Sequence, residues 1–276
     1  MPWGWSRIGL GLLLSAAVSL VAYRLKALSR SGAVGATIVG ALTVGLGGWL
    51  WGWLLIIFFT SSSLLSRFQL THKEALQAQF AKGGQRDLGQ VLANGGLGTA
   101  LAVITALTPG TWTFAAYLGA LAAVNADTWA TELGVLSRRA PRLITTGQPV
   151  PKGTSGGVTM LGFMAALAGA LWIGLAAWAW AQVATLAGVP PVREVAWWPL
   201  WAAIGGWIGA LFDSLLGATV QAIYWCDRCQ KETEQTIHRC GTPTRRLRGW
   251  VWLNNDGVNF LGSLAGGLTT MALALR

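Results

Sequence analysis

Eight stretches of this chain are apolar for about as long as a helix must be to cross a bilayer: 6–23, 31–47, 49–66, 88–107, 112–134, 156–187, 196–220 and 254–274. At about 1.5 Å of rise per residue, roughly 20 residues span the hydrocarbon core. No water is available there to satisfy backbone groups, so a continuous apolar run has to be helical. A β-barrel would show short alternating strands instead. The expected fold is therefore all-α, a polytopic transmembrane helix bundle of about eight spans. The count drops to seven if 31–47 and 49–66 form one element, because Gly45, Gly47, Gly48 and Gly52 permit either a tight hairpin or a broken, re-entrant helix. Composition agrees, with 11% of the residues charged against about 25% in soluble domains. Residues 1–276 are expected to form one integral-membrane domain. No small-residue cleavage site followed by a soluble domain comes after the first apolar stretch, so no cleaved signal peptide is expected. Tryptophan gathers at lipid–water interfaces, and Trp3, Trp5, Trp49, Trp51, Trp53, Trp197, Trp198 and Trp201 are placed to serve there.

Charge orients the bundle. With eight spans, the first connection and those near 67–87, 135–155 and 221–253 fall on one face. They carry Arg24, Lys26 and Arg30; Arg67, Lys73, Lys82 and Arg86; Arg138, Arg139, Arg142 and Lys152; and Arg228, Lys231, Arg239, Arg245, Arg246 and Arg248. The other connections carry almost none, Arg193 being the exception. The positive-inside rule makes the basic face cytosolic and puts both termini outside. The net charge of +10 serves this topology and attraction to anionic membrane lipids, and part of it can neutralise a phosphorylated ligand. No nucleic-acid recognition module is visible, so no nucleic-acid partner is expected.

Acids and amides at membrane depth carry the functional signal. They are Asn125, Asp127 and Glu132 in the fifth stretch, Asp213 in the seventh, and Asn254, Asn255, Asp256 and Asn259 opening the eighth. An ionised side chain there costs roughly 2.5–3.5 kcal/mol on insertion scales, so it persists mainly where it binds something. On the eight-span topology these groups converge in a cytosol-facing cavity. Carboxylates with amides are hard oxygen donors suited to Mg²⁺, which typically bridges carboxylates to substrate phosphates. Asp127, Asp213 and Asp256 are the candidate ligands. The competing reading is that the acids lock helices together by hydrogen bonds. On a regular helix Asn125 and Glu132 share one face and Asp127 points nearly opposite. The helix must then be surrounded by protein or broken at that point.

The run Lys152, Gly153, Thr154, Ser155, Gly156, Gly157 lets the backbone approach a ligand closely, and it opens a helix whose free N–H groups favour an anion. The lysine precedes the glycines, so this is not a Walker motif, and a flexible loop with a helix cap is the plain alternative. Ser31-Gly32, Gln90 and Asn94-Gly95-Gly96 sit at other helix starts on the same face, where small residues more often mean close packing. Cys226, Cys229, His238 and Cys240 follow C-x2-C-x8-H-x-C and could close a tetrahedral zinc site in a loop too short to fold without a staple. Reduced thiols or one disulfide are the other readings.

At these residues the chain resembles a known family. "NADTWATELGVLS", "PRLITTGQPVPKGTSGGVT", "DSLLGATVQ", the "CDRC…HRCG" loop and "NNDGVNF" are together similar to the integral-membrane family that includes the phytyl-phosphate kinases of plants and cyanobacteria. The resemblance implies conversion of phytyl monophosphate to the diphosphate with a nucleoside triphosphate, CTP by similarity to related membrane lipid kinases. The product would feed tocopherol and prenylquinone synthesis. Asp127, Glu132, Asp213 and Asp256 would then stand around Mg²⁺, and Asn255 and Asn259 would hold a metal water or a phosphate. Lys152 to Gly157 would cradle donor phosphates, helped by Arg138 or Arg142, and Asn125 would belong to the same polar site. The isoprenoid tail would lie in a lateral groove between spans. A polyprenol or lipid kinase or a cytidylyltransferase is the nearest alternative. A transporter of a phosphorylated or cationic solute is the alternative of another class, disfavoured because no internal repeat is evident and the polar groups sit off-centre.

Overall fold

The computed structural model describes residues 5–68, 85–190 and 192–276. Lys73, Lys82 and Trp3, and most of the 67–87 connection, lie outside the described residues. Eight long α-helices are present among the described ones: α1 Trp5–Arg24, α2 Arg30–Leu42, α3 Trp49–Arg67, α4 Leu88–Leu107, α5 Thr111–Gly134, α6 Met160–Leu186, α7 Trp198–Thr219 and α8 Asn255–Ala274. Six of them are individually long and apolar enough to cross a membrane; α2 and α5 are the others. α2 continues through a π-helical turn, Thr43–Gly47, so the pair is 18 residues long, about 27 Å. Helix α5 is rich in Ala and Gly and buried over nearly its whole length from Ala115 to Ala126, so it meets protein rather than lipid and needs less hydropathy.

The junction of α2 and α3 is a hairpin. Gly48 has φ 103°, a conformation that favours glycine, and turns the chain there. The end of α3 returns to the start of α2, where an Arg67 guanidinium nitrogen donates to Leu25 O. Ser29 N donates to Arg86 O at 3.0 Å, so α2 and α4 begin at the same end. The legs of the hairpin diverge: α2 packs on α1 and α4, α3 on α5 and α6. Gly32 fits directly beneath the Arg86 backbone, as expected of a small residue at a helix contact.

Helices α5, α6, α7 and α8 form the core. Small residues bring their backbones together: a Cβ on Gly209 would stand 2.7 Å from Gly262 O, and one on Gly266 2.8 Å from Gly119 O. Trp51 and Trp198 belong to this interior and are not interface anchors. Trp51 stacks on Tyr117 with ring centroids 4.3 Å apart, and the Tyr117 hydroxyl donates to Trp51 O at 2.7 Å. Trp49, Trp53 and Trp197 are exposed as expected.

Two connections carry strands. β1 (Arg142–Leu143) pairs antiparallel with β2 (Gly157–Val158). In the connection between α7 and α8, β3 (Ile223–Cys226), β4 (Lys231–Thr233) and β5 (Arg245–Arg248) form an antiparallel sheet in the order β4-β3-β5. The sixth apolar stretch therefore becomes helical only at Met160, because Gly157 and Val158 are taken into a ladder.

Candidate active site

The four connections that carry the basic residues surround one cavity of about 810 Å³. Its wall includes Lys26 from the first, Arg67 and Arg86 from the second, the 152–159 run from the third, and Gln221 and Glu234 from the fourth. The ends of α5, α7 and α8 add Asp127, Thr128, Glu132, Asp213, Asn255, Asp256 and Asn259.

Helix α5 is regular through this region, and protein surrounds it. On its α3 side, Ser61 Oγ donates to Asn125 Oδ1 at 3.1 Å and Ser66 Oγ to Glu132 Oε1 at 2.6 Å. Asn125 Nδ2 donates to Gly169 O of α6 at 2.7 Å. Both ends of the buried Asn125 amide are thus spent joining helices, and the residue lies outside the cavity wall. On the opposite side, Asp127 faces α7, and Asp127, Asp213 and Glu234 act on one another electrostatically. With its amide nitrogen turned toward acceptors, Asn259 donates to Asp213 Oδ2 at 3.0 Å and to Asn255 O at 3.3 Å, which ties α7 to α8. Asn254 caps α8, accepting from Gly257 N at 3.0 Å, and Asp256 sits in the first turn, where a helix N-terminus favours negative charge.

The glycine run borders the cavity but does not itself begin the helix. Thr159 is the cap of α6 and accepts from Gly162 N at 3.0 Å. Gly156, at φ 80°, presses its backbone onto Ala218 at the end of α7, a contact with no room for a side chain. Lys152 lines the cavity, and its Nζ donates to Val135 O at 2.9 Å and Ser137 O at 2.6 Å, covering carbonyls at the C-terminal end of α5. Arg138 and Arg142 are exposed outside the cavity wall, and Arg142 Nη1 donates to Gly147 O at 2.7 Å.

Arg86 is a further cation on the cavity wall, beside Lys26, Arg67 and Lys152. Its Nη1 donates to Ser63 Oγ at 3.2 Å and its guanidinium lies 5.8 Å and 5.5 Å from the ring centroids of Phe58 and Phe59. Burial pushes the guanidinium down to about 10, against the opposing charge of Glu132.

The small sheet brings two more residues to this region, Glu234 on the wall and Arg248 behind it, that the sequence does not single out as site residues. Glu234 follows β4, and its Oε1 accepts from Ser155 Oγ at 3.1 Å and Gln221 Nε2 at 2.8 Å. Arg248 in β5 donates from Nη1 to Gly217 O at 2.9 Å and from Nη2 to Ser155 O at 3.4 Å. The alternation of Glu232 and Glu234 was the available signal for a strand that turns an acid to one side.

The same sheet holds the Cys/His cluster. The ligand atoms of Cys226, Cys229, His238 and Cys240 all lie within 4.8 Å of one another. Cys226 Sγ and Cys240 Sγ are 3.6 Å apart, His238 Nδ1 and Cys240 Sγ 3.2 Å. A tetrahedral site with Zn–S of about 2.3 Å would set its ligands about 3.5–3.8 Å apart, so the cluster is compatible with a structural metal. None of the cysteines is disulfide-bonded.

Comparison with known proteins agrees over nearly the whole chain. The family model described as Integral membrane protein DUF92 matches residues 13–267. Protein PGR of Arabidopsis thaliana is 34% identical over 94% of this chain and 93% of its own length. An uncharacterized membrane protein of Methanocaldococcus jannaschii is 31% identical over 95% of this chain and 92% of its own. Protein VTE6, chloroplastic, of Arabidopsis thaliana is 25% identical over 89% of this chain and 65% of its own. No solved structure matches the chain.

Proposed function

The chain belongs to the DUF92 integral membrane family, and on that premise we propose that it is a membrane lipid kinase. It transfers a phosphoryl group from a nucleoside triphosphate, CTP by resemblance, to an isoprenoid monophosphate such as phytyl phosphate. The observation that carries this reading is the convergence of Asp127, Asp213, Glu234 and Asp256 from four separate elements on one cavity that also holds Arg86 and the 153–157 loop. Phosphoryl transfer asks for little covalent chemistry from a protein and much placement of charge, which is what this cavity offers. The basic connections make its face cytosolic.

The donor set fits Mg²⁺. Asp127 and Asp213 are neighbouring carboxylates, and among the described residues neither is ion-paired with a cationic side chain of the chain. Asp127, Asp213 and Asp256 would hold the ion, and when bound it supplies charge neutralisation between donor and acceptor phosphates. Asn259 fixes the Asp213 carboxylate through its amide. Glu234 holds the Ser155 hydroxyl and the Gln221 amide, setting the loop that lies along the donor phosphates. Arg86 draws the acceptor phosphate to the other side. An oxygen of that phosphate attacks the γ-phosphorus, the bond to the β–γ bridging oxygen breaks, and the nucleoside diphosphate leaves with the electron pair. The acceptor is already ionised at neutral pH, so no side chain has to act as base, and Glu132 serves by countering Arg86. Cys226, Cys229, His238 and Cys240 would hold a structural Zn²⁺, which would stiffen the sheet carrying Glu234 and Arg248. A transporter would need polar groups reaching the far face; the acids here gather at one end of the bundle, which favours the kinase.

The test is incubation of the purified protein in detergent with phytyl or geranylgeranyl monophosphate, Mg²⁺ and each of the four nucleoside triphosphates. Formation of the diphosphate with at least one donor is the expected result. Its absence with all four, from protein that is folded and metal-loaded, would remove the reading.

A further inference from the structure

Beside the polar cavity lies an apolar groove of about 250 Å³. It occupies the space left by the diverging α2–α3 hairpin and is lined by residues such as Leu14, Val18, Val39, Ile56, Phe59 and Trp180. Apart from Ser15 and Ser19 of α1, three residues break the apolar pattern: Arg86, Gln90 and Asn94. The same three also line the polar cavity, so the two spaces meet at one throat.

Among the described residues, neither of two polar groups at the throat has all its hydrogen bonds filled. Asn94 Oδ1 is enclosed without a hydrogen-bond partner. Turning the amide over presents two N–H donors to the throat instead. The Arg86 guanidinium stands against the Phe58 and Phe59 rings on the groove side and Ser63 on the other, and the Glu132 charge acts on it without a direct hydrogen bond among the described residues. A cation in such surroundings is stabilised by an anion brought close with direct hydrogen bonds. The far end of the groove reaches Trp49 on α3, ten residues from Phe59, so it extends about 15 Å along the helix. Leu14, Val18, Trp53 and Ile56 on its rim are exposed on the outer surface of the bundle, where lipid would be.

We propose that the groove is the tail site of a single-chain lipid phosphate, an isoprenoid monophosphate whose phosphate sits at the Arg86–Asn94 throat. The head's fate rests on the kinase reading; the binding of the tail does not. A soluble anion has no use for the apolar end, and a two-chain phospholipid would have to leave one chain outside a slot between single helices. The head enters the polar cavity from the side while the tail stays in an apolar medium, and a longer chain continues past Leu14 and Val18 into the bilayer.

The experiment uses the full protein in phosphatidylcholine nanodiscs and a geranylgeranyl monophosphate with a photoreactive diazirine on its last isoprene unit. Mass spectrometry after irradiation should place adducts on groove-lining residues of α1 and α3. Unlabelled geranylgeranyl monophosphate should suppress them, whereas geranylgeraniol and inorganic phosphate should not. Ala36→Trp, which fills the groove from α2, should lower adduct yield about tenfold or more while the melting temperature holds. Arg86→Gln should weaken phosphate binding by about tenfold or more and let the alcohol compete equally. In the unaltered protein, affinity across geranyl, farnesyl and geranylgeranyl monophosphates should rise by up to about fourfold per newly buried methylene and then level off once the groove is full. Adducts scattered over all lipid-facing helices, or an affinity indifferent to chain length, would overturn the proposal. Groove adducts with no diphosphate from any nucleotide would leave the tail site standing and the kinase reading fallen; diphosphate with adducts elsewhere would do the reverse.

Discussion

The two sides of α5 use the same kinds of polar residue for different ends. Toward α3 and α6, Asn125 and Glu132 receive hydroxyl hydrogen bonds, and Asn125 also donates to a backbone carbonyl. Toward α7, Asp127 accepts no hydrogen bond among the described residues and instead faces Asp213 and Glu234. A polar group whose partners are other helices stabilises the bundle; an acid placed against other acids does so at a cost that a bound cation would offset. Depth in the membrane alone therefore does not mark a functional residue. The partners do.

Substitutions can break this contrast. The largest effect is expected from Asp127→Asn, which should reduce diphosphate formation on the order of 10³-fold with little change in melting temperature. A protein that fails to fold would put Asp127 with the locks. Asn125→Ala should do the opposite: it should lower stability by about 1–3 kcal/mol, measured by chemical unfolding in detergent, with near-normal activity per folded molecule. Loss of turnover at unchanged stability would move Asn125 to the catalytic side. Glu234→Gln is expected to fall between them, with turnover down about tenfold and zinc content retained. Cys240→Ser should lose the zinc, measured by plasma emission, and should reduce turnover at least as far, because the sheet that carries Glu234 is loosened. Full turnover after zinc loss would uncouple the sheet from the site. The smallest effects belong to Arg138→Ala and Arg142→Ala, each within about 0.5 kcal/mol of the parent and with unchanged affinity for nucleotide by titration.

The helices were readable because a bilayer imposes length and continuous apolarity together. The fourth stretch coincides with Leu88–Leu107, and the fifth and eighth differ from their helices by one residue at the start. The acids were readable for the same reason, as exceptions within those runs. Residues outside the membrane were harder to place. Lys152 looks like a phosphate ligand in sequence, yet the nearest acceptors are carbonyls at the end of α5, brought there by a fold no local pattern encodes. Glu234 is one acid in a charged loop until β3 and β4 pair and turn it inward. Arg86 looks like one more topological charge, and only the fold that brings the residue before α4 against α3 sets it beside Phe58, Phe59 and Ser63.

The order in which the cavity's charges occur along the chain bears on how the protein is made. Lys26, Arg67 and Arg86 all precede α5, whereas every carboxylate of the wall, from Asp127 to Asp256, follows them. During synthesis from the N-terminus, these three cations emerge before any carboxylate of the wall, and Lys152 alone among the wall's cations follows Asp127 and Glu132. Asp127 then arrives ahead of α7, α8 and the sheet that complete its surroundings. Membrane insertion of α5 thus meets a bundle already holding Arg86, and nascent chains arrested before and after residue 220 should differ in how firmly α5 is retained by the insertion machinery.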